Sequence, residues 1–264
     1  MFLSIDVGNT NITLGLYDGD RLEAKHRIAT SLTRTLDEYG YELTRFLEEN
    51  GAARKGLAGA GIFSVVPYVM EDLSGAVKKH LKVEPFLLEN GVKTGIDFGG
   101  YKAGELGADR LVDAAAAYSK YGGRVLVIDF GTATTYDAVT AAGEYLGGAI
   151  APGIKISAEA LWGRTAKLPE VRIKGPGSVF GRNTVCSMQS GIFLGYIGQI
   201  EYMVRKMKEA AGENLRVIAT GGFSPLFKGC TDAIDVYDED LTLWGIKHLY
   251  EINQKTAELR PLPA

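Results

Sequence analysis

VLVIDFGTATTYDAVTAAGE, residues 125–144, is the stretch on which the reading of this chain turns. An apolar run enters Asp129, then come Gly131, a cluster of threonines, a second apolar run and an acidic turn. Continuous apolar residues suit a strand covered on both faces, so its end would deliver a polar, carboxylate-bearing turn to a crevice. The same order occurs at residues 2–20, FLSIDVGNTNITLGLYDGD, with Asp6, Gly8, Asn9 and Thr10 in the corresponding places. The two copies lie a little under half the chain apart. That spacing predicts two similar lobes from a duplicated unit, whereas a solenoid would repeat every ~20–50 residues.

Working outward, the first half predicts strands at 2–8, 11–17 and 21–28, joined at Asp18, Gly19 and Asp20 by turn chemistry between apolar runs. Leu36, Tyr39, Leu43, Phe46 and Leu47 fall at helical spacing from about Thr35, and Asn50-Gly51 ends that helix. A buried strand near 58–66, a helix near 68–81 and a short strand at 85–88 follow. GADRLVDAAAAYSKY, residues 107–121, is an alanine-rich helix. The second half repeats the three-strand opening, then predicts a helix near 183–210, a strand at 215–219 and a helix at 242–253. Strands alternating with helices mean two layered α/β units.

Composition removes several function classes. Lys and Arg total 29 against 32 Asp and Glu, a formal charge of -3, so no basic field exists to hold a nucleic acid. The start, MFLSIDVGNT, lacks the positive residue of a signal peptide and meets Asp6 at once. The longest apolar stretch, about 57–70, is broken by glycines and Pro67 and is short of the ~20 residues a membrane helix needs. A cytoplasmic protein with no membrane partner is expected. Cys186 and Cys230 are far apart and form no metal spacing; His26, His80 and His248 are scattered, which argues against a zinc site.

The turns carry the chemistry. Glycine lets the backbone approach a phosphate closely, successive N–H groups and threonine hydroxyls donate to phosphoryl oxygens, and the carboxylate holds a cation directly or through water. One such loop ends many ordinary strands; two at matching positions predict a triphosphate gripped from both lobes. No GxxxxGK[ST] loop is present. At 217–225, VIATGGFSP, the Thr220-Gly221-Gly222 turn leaves room for a flat group such as adenine. The same stretch reads equally as a strand-to-helix turn, with Ser224 as N-cap and Pro225 at the first helical position. Thr134 and Thr135 are as readily structural as functional, Tyr101 follows Gly99-Gly100 in a loop, and Asp109 would by itself be an ordinary first-turn acid of a helix.

These motifs together resemble the type III pantothenate kinases, within the actin, sugar kinase and chaperone ATPase superfold. The resemblance rests on Asp6-Val7-Gly8-Asn9-Thr10, Gly107-Ala108-Asp109-Arg110, Asp129-Phe130-Gly131-Thr132-Ala133-Thr134-Thr135, the glycine-rich run 147–153, Asn183-Thr184 and Thr220-Gly221-Gly222. It covers nearly the whole chain. It implies two duplicated ribonuclease H-like α/β lobes, 1–118 and 119–264, with a nucleotide cleft between them. It also implies ATP-dependent phosphorylation of pantothenate, the first step toward coenzyme A, by a homodimer using Mg2+ with ATP and a monovalent cation, K+ or NH4+.

Carried onto this sequence, the resemblance gives ATP binding to Asp6, Val7, Gly8, Asn9, Thr10, Asn11, Ile12 and Thr13, and to Thr132. Asp129 would hold the monovalent cation, and Asp6 would organise hydrated Mg2+. Tyr101, Gly107, Ala108, Asp109, Arg110 and Thr184 would hold pantothenate, with Asp109 as general base. That role suits a phosphoryl transfer with a loose transition state, where a carboxylate orients the attacking hydroxyl and takes its proton late. Arg110 beside it could sustain its charge or pair with the pantothenate carboxylate. Two other readings stand on the same fold: a non-catalytic ATP-binding sensor or transcription accessory, and a kinase for a sugar or short-chain acid.

Overall fold

The computed structural model describes residues 1–52, 56–89, 91–101 and 106–258. The chain groups into two compact units, one formed by 1–95, 100–116 and 242–264, the other by 96–99 and 117–241. The last helix therefore belongs with the first unit, in contrast to a simple division at 118/119.

In unit 1, β1 (Phe2–Val7), β2 (Asn11–Asp18) and β3 (Arg21–Ala29) form the antiparallel meander expected from the repeat. β4 (Gly59–Ser64) and β5 (Pro85–Leu87) add in parallel, giving the order β3-β2-β1-β4-β5. One face of the sheet buries Leu3, Ile5, Ile12 and Leu14 against Tyr39, Leu43 and Phe46 of α1 (Leu36–Glu49), and against Leu73 of α2 (Pro67–Ala76). α1 starts where a capping box is written: the Thr35 side chain accepts from the Glu38 amide, and the Glu38 carboxylate accepts from the Thr35 amide at 2.7 Å. The helix expected to run on to 81 instead changes to a π-helical turn over Val77–Leu81, closed by Lys82 in the left-handed region at φ 57°.

The opposite face of β1 and β4 is covered by α6 (Leu241–Glu258). The Ser4 hydroxyl donates to the Leu243 carbonyl at 2.8 Å, and the rings of Phe2 and Tyr250 lie 4.7 Å apart. A Cβ on Gly61 would come within 2.6 Å of Ile246 Cγ2, so the missing side chain sets how closely this helix approaches the strand. α3 (Ala108–Tyr121) adjoins it, with Gly245 close to Val112 and Ala116.

Unit 2 repeats the plan. β6 (Val125–Phe130), β7 (Ala133–Val139) and β8 (Tyr145–Pro152) form the antiparallel meander, and β9 (Arg216–Thr220) and β10 (Val236–Tyr237) add in parallel. The order β10-β9-β6-β7-β8 is that of unit 1 strand for strand, and each outer hairpin shifts register near its turn. Its core joins Leu126, Ile128 and Phe130 to Phe193, Tyr196 and Ile200 of α5 (Thr184–Ala211), around the Phe227 ring.

Two unit-2 elements lie outside the expectation, the two-residue β10 and α4 (Ile154–Gly163). A third difference corrects the reading of Ser224 as an N-cap. Ser224 lies inside a single 3-10 turn, Ser224–Phe227, and its hydroxyl donates back to the Gly221 carbonyl at 2.9 Å. Both cysteines are free and exposed, and no helix among the described residues is long and apolar enough to cross a membrane.

The close approach at Gly61 gives a stability test. Gly61→Ala should lower stability by ~1–3 kcal/mol, a fall of several degrees in Tm, because the core there has no room. Ile246→Ala should relieve part of that loss, so the double variant should be more stable than the sum of the two single effects; simple additivity in thermal melts would refute the packing.

Candidate active site

Asp6 stands one residue from the end of β1, with every other residue of that strand buried. The register carries its row across the sheet: Asp6 pairs with Thr13 on β2, and Thr13 pairs with Arg27 on β3. Paired residues on adjacent strands share a face, so a carboxylate, a hydroxyl and a guanidinium stand in line. Arg27 is exposed, and its positive charge acts on the Asp6 carboxyl. Between β1 and β2 the hairpin is pinned on both sides. Gly8 N–H donates to the Asn11 carbonyl at 3.0 Å, and the Thr30 hydroxyl and amide donate to the carbonyls of Gly8 and Thr10 at 2.6 and 3.0 Å. Asn9 and Thr10 are left exposed at the tip, and Val7 and Ile12 are core residues that hold the loop's ends.

Asp109 belongs to the same unit, in the first turn of α3. Its Oδ1 accepts from the Arg110 amide at 2.8 Å, and a Cβ on Gly107 would come within 2.5 Å of that oxygen. The glycine thus leaves the carboxylate its position over the helix start, where the helix dipole favours a negative charge. Asp6 and Asp109 feel each other. Burial first, and then the Asp109 charge, push the Asp6 carboxyl up to about 7, with Arg27 opposing the rise. Asp109 and Arg27 thus act electrostatically on the Asp6 carboxyl, which stands in the same row as Thr13. Tyr101, 41 % exposed, precedes residues outside the described set.

In unit 2 the corresponding hairpin carries Asp129 at the end of β6 and an exposed Thr132 at its tip. Gly131 N–H donates to the Ala133 carbonyl, and Gly153 N–H to the Thr132 carbonyl, both at 3.0 Å. Thr134 is buried and hydrogen-bonded to the Tyr196 hydroxyl, so its role is structural. The Thr220-Gly221-Gly222 turn folds over the end of β6: Phe223 N–H donates to the Phe130 carbonyl at 3.1 Å, and a Cβ on Gly221 would overlap Asp129 Oδ1. At φ 86°, Gly221 is also in a conformation that other residues resist.

Beside that turn is a cavity of ≈ 500 Å³ bordered by Trp162, Arg172, Gly222, Phe223 and Leu226. Thr184 begins α5 and is exposed there, placed by Asn183, whose side chain accepts from the Cys186 amide at 2.8 Å. It borders a second cavity of ≈ 590 Å³ with Leu161, Leu168 and Met188. Leu161 and Leu168, on either side of the end of α4, thus share a cavity with Thr184.

No three His, Cys, Asp or Glu among the described residues converge on a metal position. Isolated carboxylates suit cations that keep most of their ligands from phosphates and water, as Mg2+ does at nucleotide sites. Arg27 escaped sequence reading because its place beside Asp6 depends on the pairing of two strands. The period-two pattern of β3, which turns Arg27 away from the core-facing Ile28, was the available signal.

A family model described as type III pantothenate kinase matches residues 2–206. The chain is 50% identical over 251 residues to the type III pantothenate kinase of Agathobacter rectalis, covering 95% of this chain and 96% of that protein. Among solved structures, a Campylobacter jejuni protein assigned to the Baf family of transcriptional activators superposes with a TM-score of 0.59 at 21% identity, covering 96% of this chain and 99% of that one. A Sinorhizobium meliloti protein assigned as a 2-dehydro-3-deoxygalactonokinase gives 0.53 at 13% identity, with coverages of 96% and 99%. At those identities the structural likenesses speak to the fold alone. The family match over most of the sequence, joined to half-identity along nearly all of a relative, makes this chain a member of the type III pantothenate kinase family.

Proposed function

We propose that the chain transfers the γ-phosphoryl group of ATP to the primary hydroxyl of pantothenate, with Asp109 as the general base. The observation that supports the mechanism is the effect of the Asp109 charge on Asp6 within one unit, which brings a proton acceptor within electrostatic reach of the proposed cation-organising carboxylate. Transfer through a loose transition state asks for alignment and charge stabilisation more than covalent help. Asp109 orients the hydroxyl and takes its proton as the oxygen bonds to phosphorus and ADP departs. The hairpin residues Asp6 to Thr13 and the hydroxyl of Thr132 bind the phosphates, and Arg27 supplies the positive charge that a loop without lysine lacks. Mg2+, when bound with the nucleotide, neutralises charge on the β- and γ-phosphates, and Asp6 organises its water shell. Asp129 would hold a monovalent cation, K+ or NH4+, which would supply positive charge to offset that of the phosphates.

Pantothenate is held by Tyr101, the run Gly107 to Arg110 and Thr184, and the cavity beside Gly222 and Phe223, walled by Trp162, suits the adenine. We also infer a cytoplasmic homodimer. Exposed Val179 and Phe180, together with Tyr202 on α5, are apolar groups that a second copy would cover.

The direct test is ADP release with ATP and Mg2+, comparing pantothenate, no acceptor and a sugar panel, each with K+ and with Na+. Release should need pantothenate and K+ together; silence with every acceptor while ATP still binds would favour the sensor reading. Asp109→Asn should lower kcat by ~10²–10⁴-fold with ATP affinity by calorimetry almost unchanged, and undiminished turnover would remove Asp109 as the base. Arg27→Gln should raise the KM for ATP about tenfold and leave the KM for pantothenate in place; an unchanged ATP KM would remove Arg27 from the phosphate site.

Asp6 makes a pH prediction. Its carboxyl titrates at about 7 in the folded protein against 3.8 for the free group, so the folded state holds the proton more tightly. The associated stability is full below the lower value and is lost as pH rises through the higher one. Asparagine does not ionise. Asp6→Asn should therefore gain thermal stability over the wild type progressively between about pH 4 and pH 7 and hold that gain above it, on the order of a few kcal/mol, while losing activity. A difference in Tm that stays constant with pH would contradict the assignment.

A further inference from the structure

Thr220 ends β9 with 1 % of its surface exposed, and its hydroxyl oxygen is buried without a hydrogen-bond partner. Among the described residues the buried hydroxyls of Ser4 and Ser224 are satisfied, donating to the carbonyls of Leu243 and Gly221, while that of Tyr136, on the opposite, core-facing side of the sheet, is unpartnered like Thr220. An unpartnered buried hydroxyl opposes folding, so it points to a ligand that completes it. The register says where that ligand would sit. Asp129 pairs in parallel with Thr220 on β9 and antiparallel with Thr135 on β7. The carboxylate therefore stands in a row with a threonine on each neighbouring strand and on the same face.

The duplication supplies an internal comparison. At the equivalent place in unit 1, Asp6 is flanked by Thr13 and, on the parallel strand, by Phe63, which is 2 % exposed. The fold is thus content with an apolar ring where unit 2 places a hydroxyl. Gly221, directly after Thr220, leaves its side-chain space to the Asp129 carboxylate, which keeps that carboxylate against the end of β9.

We propose that Thr220 Oγ1 is a ligand to the monovalent cation at Asp129, so that carboxylate and hydroxyl form the protein's share of the site. The inference rests on the reading that Asp129 holds this cation. A hard cation of single charge takes oxygen donors, and a threonine hydroxyl offers lone pairs without adding a second negative charge. With one carboxylate and neutral oxygens the site balances a single positive charge, which suits K+ or NH4+ better than a divalent ion.

The test uses the whole protein without nucleotide, measuring the unfolding midpoint against K+ concentration at constant ionic strength held with choline chloride. A ligand that binds only the folded state raises the midpoint by an amount set by its affinity. The wild type should respond saturably and Asp129→Asn should not. Thr220→Val keeps the branched shape and removes the oxygen. It should melt at or above the wild type in choline, yet need about tenfold or more K+ for half its response. Thr220→Ser, which keeps the oxygen, should retain near wild-type K+ dependence, and Thr220→Ala replaces the valine variant should that one fail to fold.

A half-saturating K+ concentration within about twofold of wild type in the oxygen-free variant, with Asp129→Asn unresponsive, would overturn the role of Thr220 alone. No K+ response in the wild type, or an undiminished one in Asp129→Asn, would overturn the Asp129 reading and this inference with it.

Discussion

Asp6 is a carboxylate near the end of a strand whose other residues are all buried, and the chemistry of the first unit depends on what its charge meets there. The sheet cannot neutralise it fully. Arg27, two strands away in the same row, opposes the rise in its proton affinity, while burial and the Asp109 charge drive it. A ligand-free enzyme therefore keeps a carboxyl poised near neutrality, and a cation bound with nucleotide would settle it in the charged form. The strain is electrostatic and local to the place proposed for transfer, consistent with sites that favour activity over stability.

Duplication explains how one backbone plan serves two tasks. Strand order, parallel and antiparallel pairing and the register shift near the outer turn recur in both units. The positions beside the two aspartates then differ. Unit 1 has Phe63 and Arg27 in the row of Asp6, and unit 2 has Thr220 and Ile150 in the row of Asp129. The first set combines an acid with an exposed positive arm, suited to phosphate, while the second sets an acid in a row with two threonines, suited to a small cation.

Much of this was legible because it is local. The strand openings, the Thr35 capping box, the alanine-rich helix and the glycine turns are each written within a few consecutive residues, and the structure forms them within one or two positions of the expected bounds. α4 was missed because it is only ten residues long and follows a glycine that provides no side-chain cap. Ser224 misled because Ser-Pro after a glycine pair is a common helix start, whereas here the segment makes one turn and the hydroxyl faces backward. The proposed site draws on motif residues read from the sequence, the aspartates and the hairpin hydroxyls. Arg27 was not singled out, and Thr220 was read only as part of its glycine turn, since each stands beside its aspartate through strand register that the local sequence does not give.

Family membership makes the chemistry of transfer the central claim, and the product is its most direct witness. The measurement is phosphorus NMR of the reaction mixture with ATP, Mg2+, K+ and pantothenate, with the product isolated and its mass determined. The account predicts a new phosphomonoester on the primary hydroxyl of pantothenate, formed one for one with ADP. Inorganic phosphate as the sole new phosphorus species, or bound ATP left intact beside unchanged pantothenate, would contradict it.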